Sequence, residues 1–413
     1  MLQLVDVATA SIEDYAPIVG IEVIDRLRTL AKDLKGARIL HVNATAYGGG
    51  VSELLRSSVS IQRGLGLDVE WRVISGSQSF FEVTKSIHNA LQGADYAFTP
   101  EARETYLLQN SYNAQQFEGD YDFVVVHDPQ PAALLHFRGH DSHKWVWRCH
   151  IDTSSPNRDV LQALLPYIDE YDALVFTLGK FVPEMLKDRN VRLIPPGIDP
   201  LSPKNFDIPD DQCRRILSWV GVHPDEPIMT QVSRFDPWKD PMGVIRVYRR
   251  VRESVPNLQL ALIGSLALDD PEAWELLRDV QHEAAGDSRI LVATNLTGIG
   301  NTEVNVFQRQ SDVVLQKSIR EGFGLIVSET LWKGTPMVAG NTGGIPMQMP
   351  AGAGGYLVDP LDEEEMARKA LCLLKDGEGA AELGRRGKEH IRQHFLITRM
   401  IEQELELLSS LND

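Results

Sequence analysis

Cysteine is scarce in this chain. Cys149, Cys213 and Cys372 are its three thiols in 413 residues. They lie too far apart in sequence for a disulfide framework or a thiolate metal site, and they read as reduced, mostly structural thiols. No apolar run is long enough to cross a bilayer. The start, Met1-Leu2-Gln3-Leu4-Val5-Asp6, lacks the basic-then-apolar layout of a secretory signal. The expectation is a cytoplasmic protein without a membrane partner. Positive charge is also in short supply, with a formal net charge of −17, 18 basic against 26 acidic residues in positions 1–200, and 23 against 32 in the rest. An acidic excess spread this evenly disfavours nucleic acid and anionic lipid. Any phosphate the protein binds has to be held by a few placed residues. His136, His140 and His143 come close in sequence, but Phe137-Arg138-Gly139-His140-Asp141-Ser142-His143 is a polar loop without a supporting shell. No metal and no obligatory cofactor is expected.

What the chain does have is size and alternation. Its length exceeds what one core serves, and 43% apolar with 24% charged residues describes an ordinary globular protein. Residues 1–20 read as a polar extension with no strong pattern, and Ile21 to Leu34 has helical spacing. Strands are expected at Arg38–Asn43, Val69–Ile74, Phe123–His127, Trp145–His150, Ala173–Phe176 and Val191–Ile194, with helical or loop segments between them. The turn-rich run from Pro195 to Pro203 reads as a crossover. Beyond it the pattern restarts at Ile228–Val232, Leu258–Ile263, Ile290–Val292, Val313–Leu315, Met337–Ala339 and Gly355–Val358, and helical stretches close the chain. Strands alternating with helices imply mainly parallel sheets covered on both faces. The fold class is therefore α/β, with two successive doubly wound, Rossmann-like halves. The expected domains are 1–200, 201–394, and a C-terminal helix at 395–413 that packs back on the first. That architecture puts a ligand in the cleft between the halves.

Several polar residues fall where such sheets bind ligands, at the carboxyl ends of strands. Arg320-Glu321-Gly322-Phe323-Gly324-Leu325-Ile326-Val327-Ser328-Glu329 sets two carboxylates eight positions apart around a glycine turn and a helix start. The amides of Gly322, Phe323, Gly324 and Leu325 at that helix start suit a phosphate or a sugar oxygen. Arg234 and Lys239, on the loop after Ile228–Val232, are able to clamp a diphosphate leaving group, although a solvated loop with two surface cations is the commoner outcome. Gly48-Gly49-Gly50 follows the first long strand, as a phosphate-approaching loop does, and a tight turn alone would also explain it. His127 and Asp128 end one strand, and His150 and Asp152 follow the next. They are able to hold sugar hydroxyls, with capping and structural hydrogen bonding as the plainer roles. Trp238 and Trp332 could stack on sugars, whereas Trp145 and Trp147 read as core.

Together these features resemble the retaining GT-B glycosyltransferases of family 4, the glycogen-synthase-like group with the EX7E glutamate pair. The segments His127–Leu134, Trp147–Arg158, Gln231–Lys239 and Ser318–Leu325 look like those of the trehalose glycosyltransferring synthases of archaea and some bacteria. The resemblance spans nearly the whole chain. It implies a GT-B fold, two Rossmann-like domains facing a central cleft, and transfer of glucose from a nucleoside diphosphate glucose to free glucose, giving α,α-trehalose reversibly. It also implies roles. Arg234 and Lys239 would hold the diphosphate, and Glu329 the ribose. Glu321 and the amides of Gly322–Leu325 would hold the donor glucose, with Gly49 and Gly50 closing over it. His150 would bind the donor sugar near the reacting carbon, and Asp128, Gln130 and Asp152 would contact the acceptor. His150, Arg234, Lys239 and Glu321 make up the catalytic set. The partners would be small sugars and a nucleotide; a homodimer is compatible with this, and so is Mg2+ on the diphosphate, although no residue set indicates a site for it.

A double displacement needs two carboxyls about 5 Å apart across the scissile bond, and no second carboxylate is evident. The reading is therefore front-face substitution, with the departing phosphate oxygen taking the acceptor's proton. Three alternatives stay open: a trehalose phosphorylase, a family 4 transferase with a sugar-phosphate acceptor, for which Arg148 and Arg158 are the nearby cations, and a nucleotide-sugar sensor without turnover.

Overall fold

The computed structural model describes residues 1–140, 143–266 and 271–412. Asp141 and Ser142 of the polar histidine loop lie outside the described residues. The chain divides into two compact units, Met1–Pro196 with the segment from Ile397 onward, and Gly197–Leu396.

The first unit is built on seven strands: β1 (Gln3–Leu4), β2 (Arg38–Asn43), β3 (Asp68–Val73), β4 (Phe123–His127), β5 (Lys144–Cys149), β6 (Ala173–Phe176) and β7 (Val191–Leu193). Their order is β1-β3-β2-β4-β5-β6-β7, parallel except for β1, which pairs antiparallel with β3. Successive side chains of a strand point to opposite faces, and both faces here are apolar. Leu40, Val42, Val124, Val126, Trp145 and Trp147 join one core. Ile39, Phe123, Val125 and Val146 join the other, which is covered by Met400, Ile401, Leu405 and Leu408 of the helix Ile397–Ser410. Residues 1–20 are not the patternless extension expected. Leu2, Val5, Val7, Ile12 and Tyr15 are buried. A two-residue edge strand and short helical turns are too brief to show a period in the sequence.

The second unit has six parallel strands: β8 (Ile228–Arg234), β9 (Gln259–Ser265), β10 (Ile290–Thr294), β11 (Val313–Gln316), β12 (Met337–Gly340) and β13 (Gly355–Val358). Their order is β10-β9-β8-β11-β12-β13. In each sheet the winding reverses once in the middle, between β2 and β4 in the first unit and between β8 and β11 in the second. At such a switch point adjacent strand ends diverge into a crevice, where doubly wound sheets bind ligands. No helix among the described residues is long and apolar enough to cross a membrane.

Candidate active site

In the second unit both loops at the switch point carry charge. β8 ends at Arg234, and the chain turns through a short 3-10 segment, Pro237–Lys239, started by Asp236, whose Oδ1 accepts from the Trp238 amide at 2.9 Å. The loop after β11 leads through Glu321 into the helix Leu325–Trp332. The two loops meet where Lys239 Nζ donates to Glu321 Oε2 at 2.6 Å. The same oxygen accepts from Ser318 Oγ at 3.1 Å and Gln316 Nε2 at 3.2 Å. One backbone bond fixes the loops to each other, the Ile319 amide donating to the Trp238 carbonyl at 2.8 Å, and the first loop is tied to its own strand by Gln231 Nε2, which donates to the Lys239 carbonyl at 2.7 Å. Arg234 stands apart from this pair; it is largely exposed and bonds Asp236 at 3.3 Å.

The helix Leu325–Trp332 begins at Gly324 with φ 83°, left-handed backbone that glycine adopts without strain, and no side chain caps it. The turn before it is clamped from behind. A Cβ on Gly343, itself at φ 54°, would come within 1.6 Å of the Glu321 carbonyl oxygen, and one on Gly344 within 2.7 Å of that of Gly322. Gln348 Nε2 donates to the Phe323 carbonyl at 2.6 Å. Glu329, one turn into the helix, is buried. Its Oε2 accepts from Gln308 at 3.3 Å, and Lys204 Nζ lies 4.0 Å from its Oε1. Lys333 donates to the Glu329 carbonyl at 2.8 Å, and burial pushes its ammonium down to about 7. Glu329 forms no ion pair with Lys239 or Arg234 among the described residues.

In the first unit the glycine loop follows β2. Gly48 has φ 78°, whereas Gly49 is extended, with no atom within 4 Å of where a Cβ would stand; Gly50 opens the helix Gly50–Gly64. Asp128, just after β4, holds left-handed backbone at φ 64°, a conformation that persists in a non-glycine residue when its surroundings over-determine it. They do here: its amide donates to the Arg148 carbonyl at 2.9 Å, its carbonyl accepts from Trp147 Nε1 at 2.9 Å, and its Oδ1 accepts from the His150 amide at 2.8 Å. Burial raises the Asp128 carboxyl to about 7. His150 is thus joined to Asp128 through its backbone, and its ring bonds His127 at 2.9 Å. Gln130 is half-buried, its carbonyl accepting from Asn110 at 3.1 Å. Asp152 takes the Ser154 amide at 2.9 Å, which is the capping role.

Some expected partners are elsewhere. Trp145 and Trp147 are core, while Trp238 lies under Arg320 and Trp332 under Lys388. His136 bonds Glu170 and His143 bonds Asp120. No three metal-ligating side chains converge among the described residues. Residues that sequence reasoning missed include Gln316, Ser318, Gln308, Lys204, Gly343 and Gly344 in the second unit. In the first they are His41, Gln62 and Glu404, with Arg148 read only as a cation near the acceptor. Arg148 is buried, and its guanidinium bonds Glu404 at 2.9 Å. The available signal was a charged or imidazole residue inside an apolar stripe: His41 within Ile39–Val42, and Glu404 among Met400, Ile401, Leu405 and Leu408.

Comparison with known proteins adds the family. Residues 41–183 match a family described as "Trehalose synthase, N-terminal domain", and residues 216–390 match "Glycosyl transferases group 1". A trehalose synthase of Rubrobacter xylanophilus is 50% identical over 416 residues, covering 100% of this chain and 99% of that protein. One of Pyrococcus horikoshii is 45% identical, covering 97% and 96%. Among solved structures, the sucrose-phosphate synthase of Thermosynechococcus elongatus superposes with a TM-score of 0.72 at 19% identity, over 91% of this chain and 99% of that one. The fold is GT-B.

Proposed function

The chain belongs to the trehalose synthase family, and from that premise we propose that it is a retaining glucosyltransferase carrying glucose from a nucleoside diphosphate glucose to free glucose, forming α,α-trehalose reversibly. The observation that carries the reading is the contact of Lys239 with Glu321 at the switch point, 2.6 Å long, beside an uncapped helix N-terminus. It sets a cation for a leaving diphosphate next to a carboxylate for sugar hydroxyls.

When the donor arrives, Lys239 exchanges Glu321 for the diphosphate, and Arg234 joins it from the same loop. Glu321 turns to the glucose hydroxyls with the amides of Gly322–Leu325, and Glu329 takes the ribose. His150 holds the donor glucose, while Asp128, Gln130 and Asp152 meet the acceptor. The bond from glucose C1 to the β-phosphate oxygen breaks, and the acceptor oxygen bonds to C1 on the same face. The departing phosphate oxygen takes the acceptor's hydroxyl proton, so no enzyme nucleophile is consumed. Arg148, one of the two cations considered for a phosphorylated acceptor, is bound to Glu404 inside the fold, which leaves Arg158 alone for that role and favours an uncharged acceptor. Incubation with ADP-, UDP- or GDP-glucose and either glucose or glucose 6-phosphate tests the reading. The expected product is α,α-trehalose, from glucose alone. A disaccharide phosphate formed only from glucose 6-phosphate, or a β-linkage, overturns it.

A further inference from the structure

Three histidines form a chain inside the first unit. His150 Nε2 is 2.9 Å from His127 Nδ1, His127 Nε2 is 3.1 Å from His41 Nδ1, and His41 Nε2 is 3.4 Å from Glu404 Oε1. Strand alternation explains the meeting. His41 shares the face of Ile39, His127 that of Phe123 and Val125, and Arg148 and His150 that of Val146, the face covered by the C-terminal helix carrying Glu404.

The far end biases the protons. Glu404 Oε2 accepts from Arg148 at 2.9 Å and Oε1 from Gln62 Nε2 at 3.0 Å. The other Gln62 amide hydrogen goes to Ser58 Oγ at 3.0 Å. A carboxylate paired with a guanidinium offers acceptors only, and Gln62 has no hydrogen left to give. The Glu404 carboxylate faces His41 Nε2 at 3.4 Å without the alignment of a hydrogen bond, so its charge favours the Nε2–H tautomer of His41, and in a neutral imidazole Nδ1 then accepts. His127 Nε2 donates to it, His127 Nδ1 accepts, and His150 Nε2 donates. Burial keeps the rings neutral. It lowers His41, against the pull of Glu404, and sets His127 and His150 well below the usual histidine range, with the Arg148 charge acting in the same direction.

We propose that Glu404, acting through His41 and His127, is a positioning residue that holds His150 in the Nε2–H tautomer and leaves its Nδ1 as an acceptor for a sugar hydroxyl. Among the described residues no hydrogen bond uses that Nδ1. The ligand half of this assignment rests on the reading that His150 meets the donor sugar; the tautomer half does not.

The test is nitrogen NMR of the full-length, ligand-free protein labelled at histidine, with the His150 signals identified by their loss in His150→Gln. The expected result near neutral pH is a protonated Nε2 and a bare Nδ1; an Nδ1–H tautomer or an imidazolium overturns the proposal. His127→Phe cuts the chain and is expected to give a mixture of His150 tautomers and a kcat/KM lower by roughly three- to tenfold, the size of one neutral hydrogen bond. His127→Gln, whose amide both donates and accepts, is expected to recover most of it. An unchanged tautomer and full activity in His127→Phe also overturns the proposal, and the wild-type spectrum decides even if that variant does not fold. Full activity in His150→Gln, with the wild-type tautomer as expected, removes the sugar contact and leaves the relay standing.

Discussion

The two switch points solve different problems with opposite chemistry. In the second unit the strand-end loops hold an ammonium against a carboxylate, in side chains that are 17% and 12% exposed, within reach of an incoming charge. In the first unit the strand ends lead inward through neutral rings to a buried Arg148–Glu404 pair. A leaving diphosphate calls for mobile positive charge, whereas a sugar hydroxyl needs an acceptor of fixed direction. On the proposed reading Lys239 changes partners, whereas Glu404 keeps its own.

Breaking the pair that keeps its partners should have the largest effect. Glu404→Ala leaves Arg148 buried without its carboxylate, beside Arg399, which burial and then the Arg148 charge push down to about 10. The expected loss is about 3–5 kcal/mol of stability, measured by urea unfolding of the full chain. Losing one partner of the exposed Arg385–Glu382 pair should leave the same measurement nearly unchanged. Equal losses would show that the buried pair carries no special weight.

Lys239→Ala should do the reverse, sparing the fold and removing catalysis. If Lys239 exchanges Glu321 for the leaving phosphate, kcat/KM should fall by about 10²–10³, roughly 3–4 kcal/mol of transition-state stabilisation, in initial rates of disaccharide formation. A rate within a few-fold of wild type would mean that the pair only braces two loops.

Acidification separates the units in another way. His41, His127 and His150 have folded pKa values depressed below the usual 6.5. Below that pH the unfolded chain binds more protons than the folded one, so their contribution to stability is complete above about pH 6.5 and is lost as pH falls. Asp128 runs the other way. Its carboxyl is raised to about 7, so its contribution is present at low pH and is lost as pH rises toward 7. Each histidine adds up to about 1.4 kcal/mol per pH unit, and three outweigh one carboxyl. Unfolding free energy measured on either side of pH 6 should fall with acid, and His127→Phe should flatten that slope.

Legibility differed between the units for a physical reason. The Lys239–Glu321 contact draws on two short segments, each a strand end running into a glycine or aspartate turn, so spacing and turn chemistry pointed to both residues as candidates. The backing at Gly343 and Gly344 was hidden, because close approach of backbone to the Glu321 loop depends on how β12 lies beside β11. The histidine chain is assembled from positions 41, 62, 127, 148, 150 and 404, which only sheet order and the return of the final helix bring together. Each strand except β1 was evident from its apolar run. Which polar residue within a run faced which was not, because register and helix placement are tertiary facts.

The glycine loop of the first unit offers the smallest test. Gly48 sits at φ 78°, so Gly48→Ala should cost about 1–2 kcal/mol of stability through backbone strain alone. Gly49 is extended, as any residue can be, and a methyl there would touch nothing in the chain. Its stability should therefore change by no more than about 0.5 kcal/mol in Gly49→Ala. If the loop approaches the donor, that methyl stands where a phosphate or sugar oxygen must come, and KM for the nucleotide sugar should rise several-fold, about 1 kcal/mol, with the fold intact. An unchanged KM would mean that Gly49 serves the turn and not the ligand.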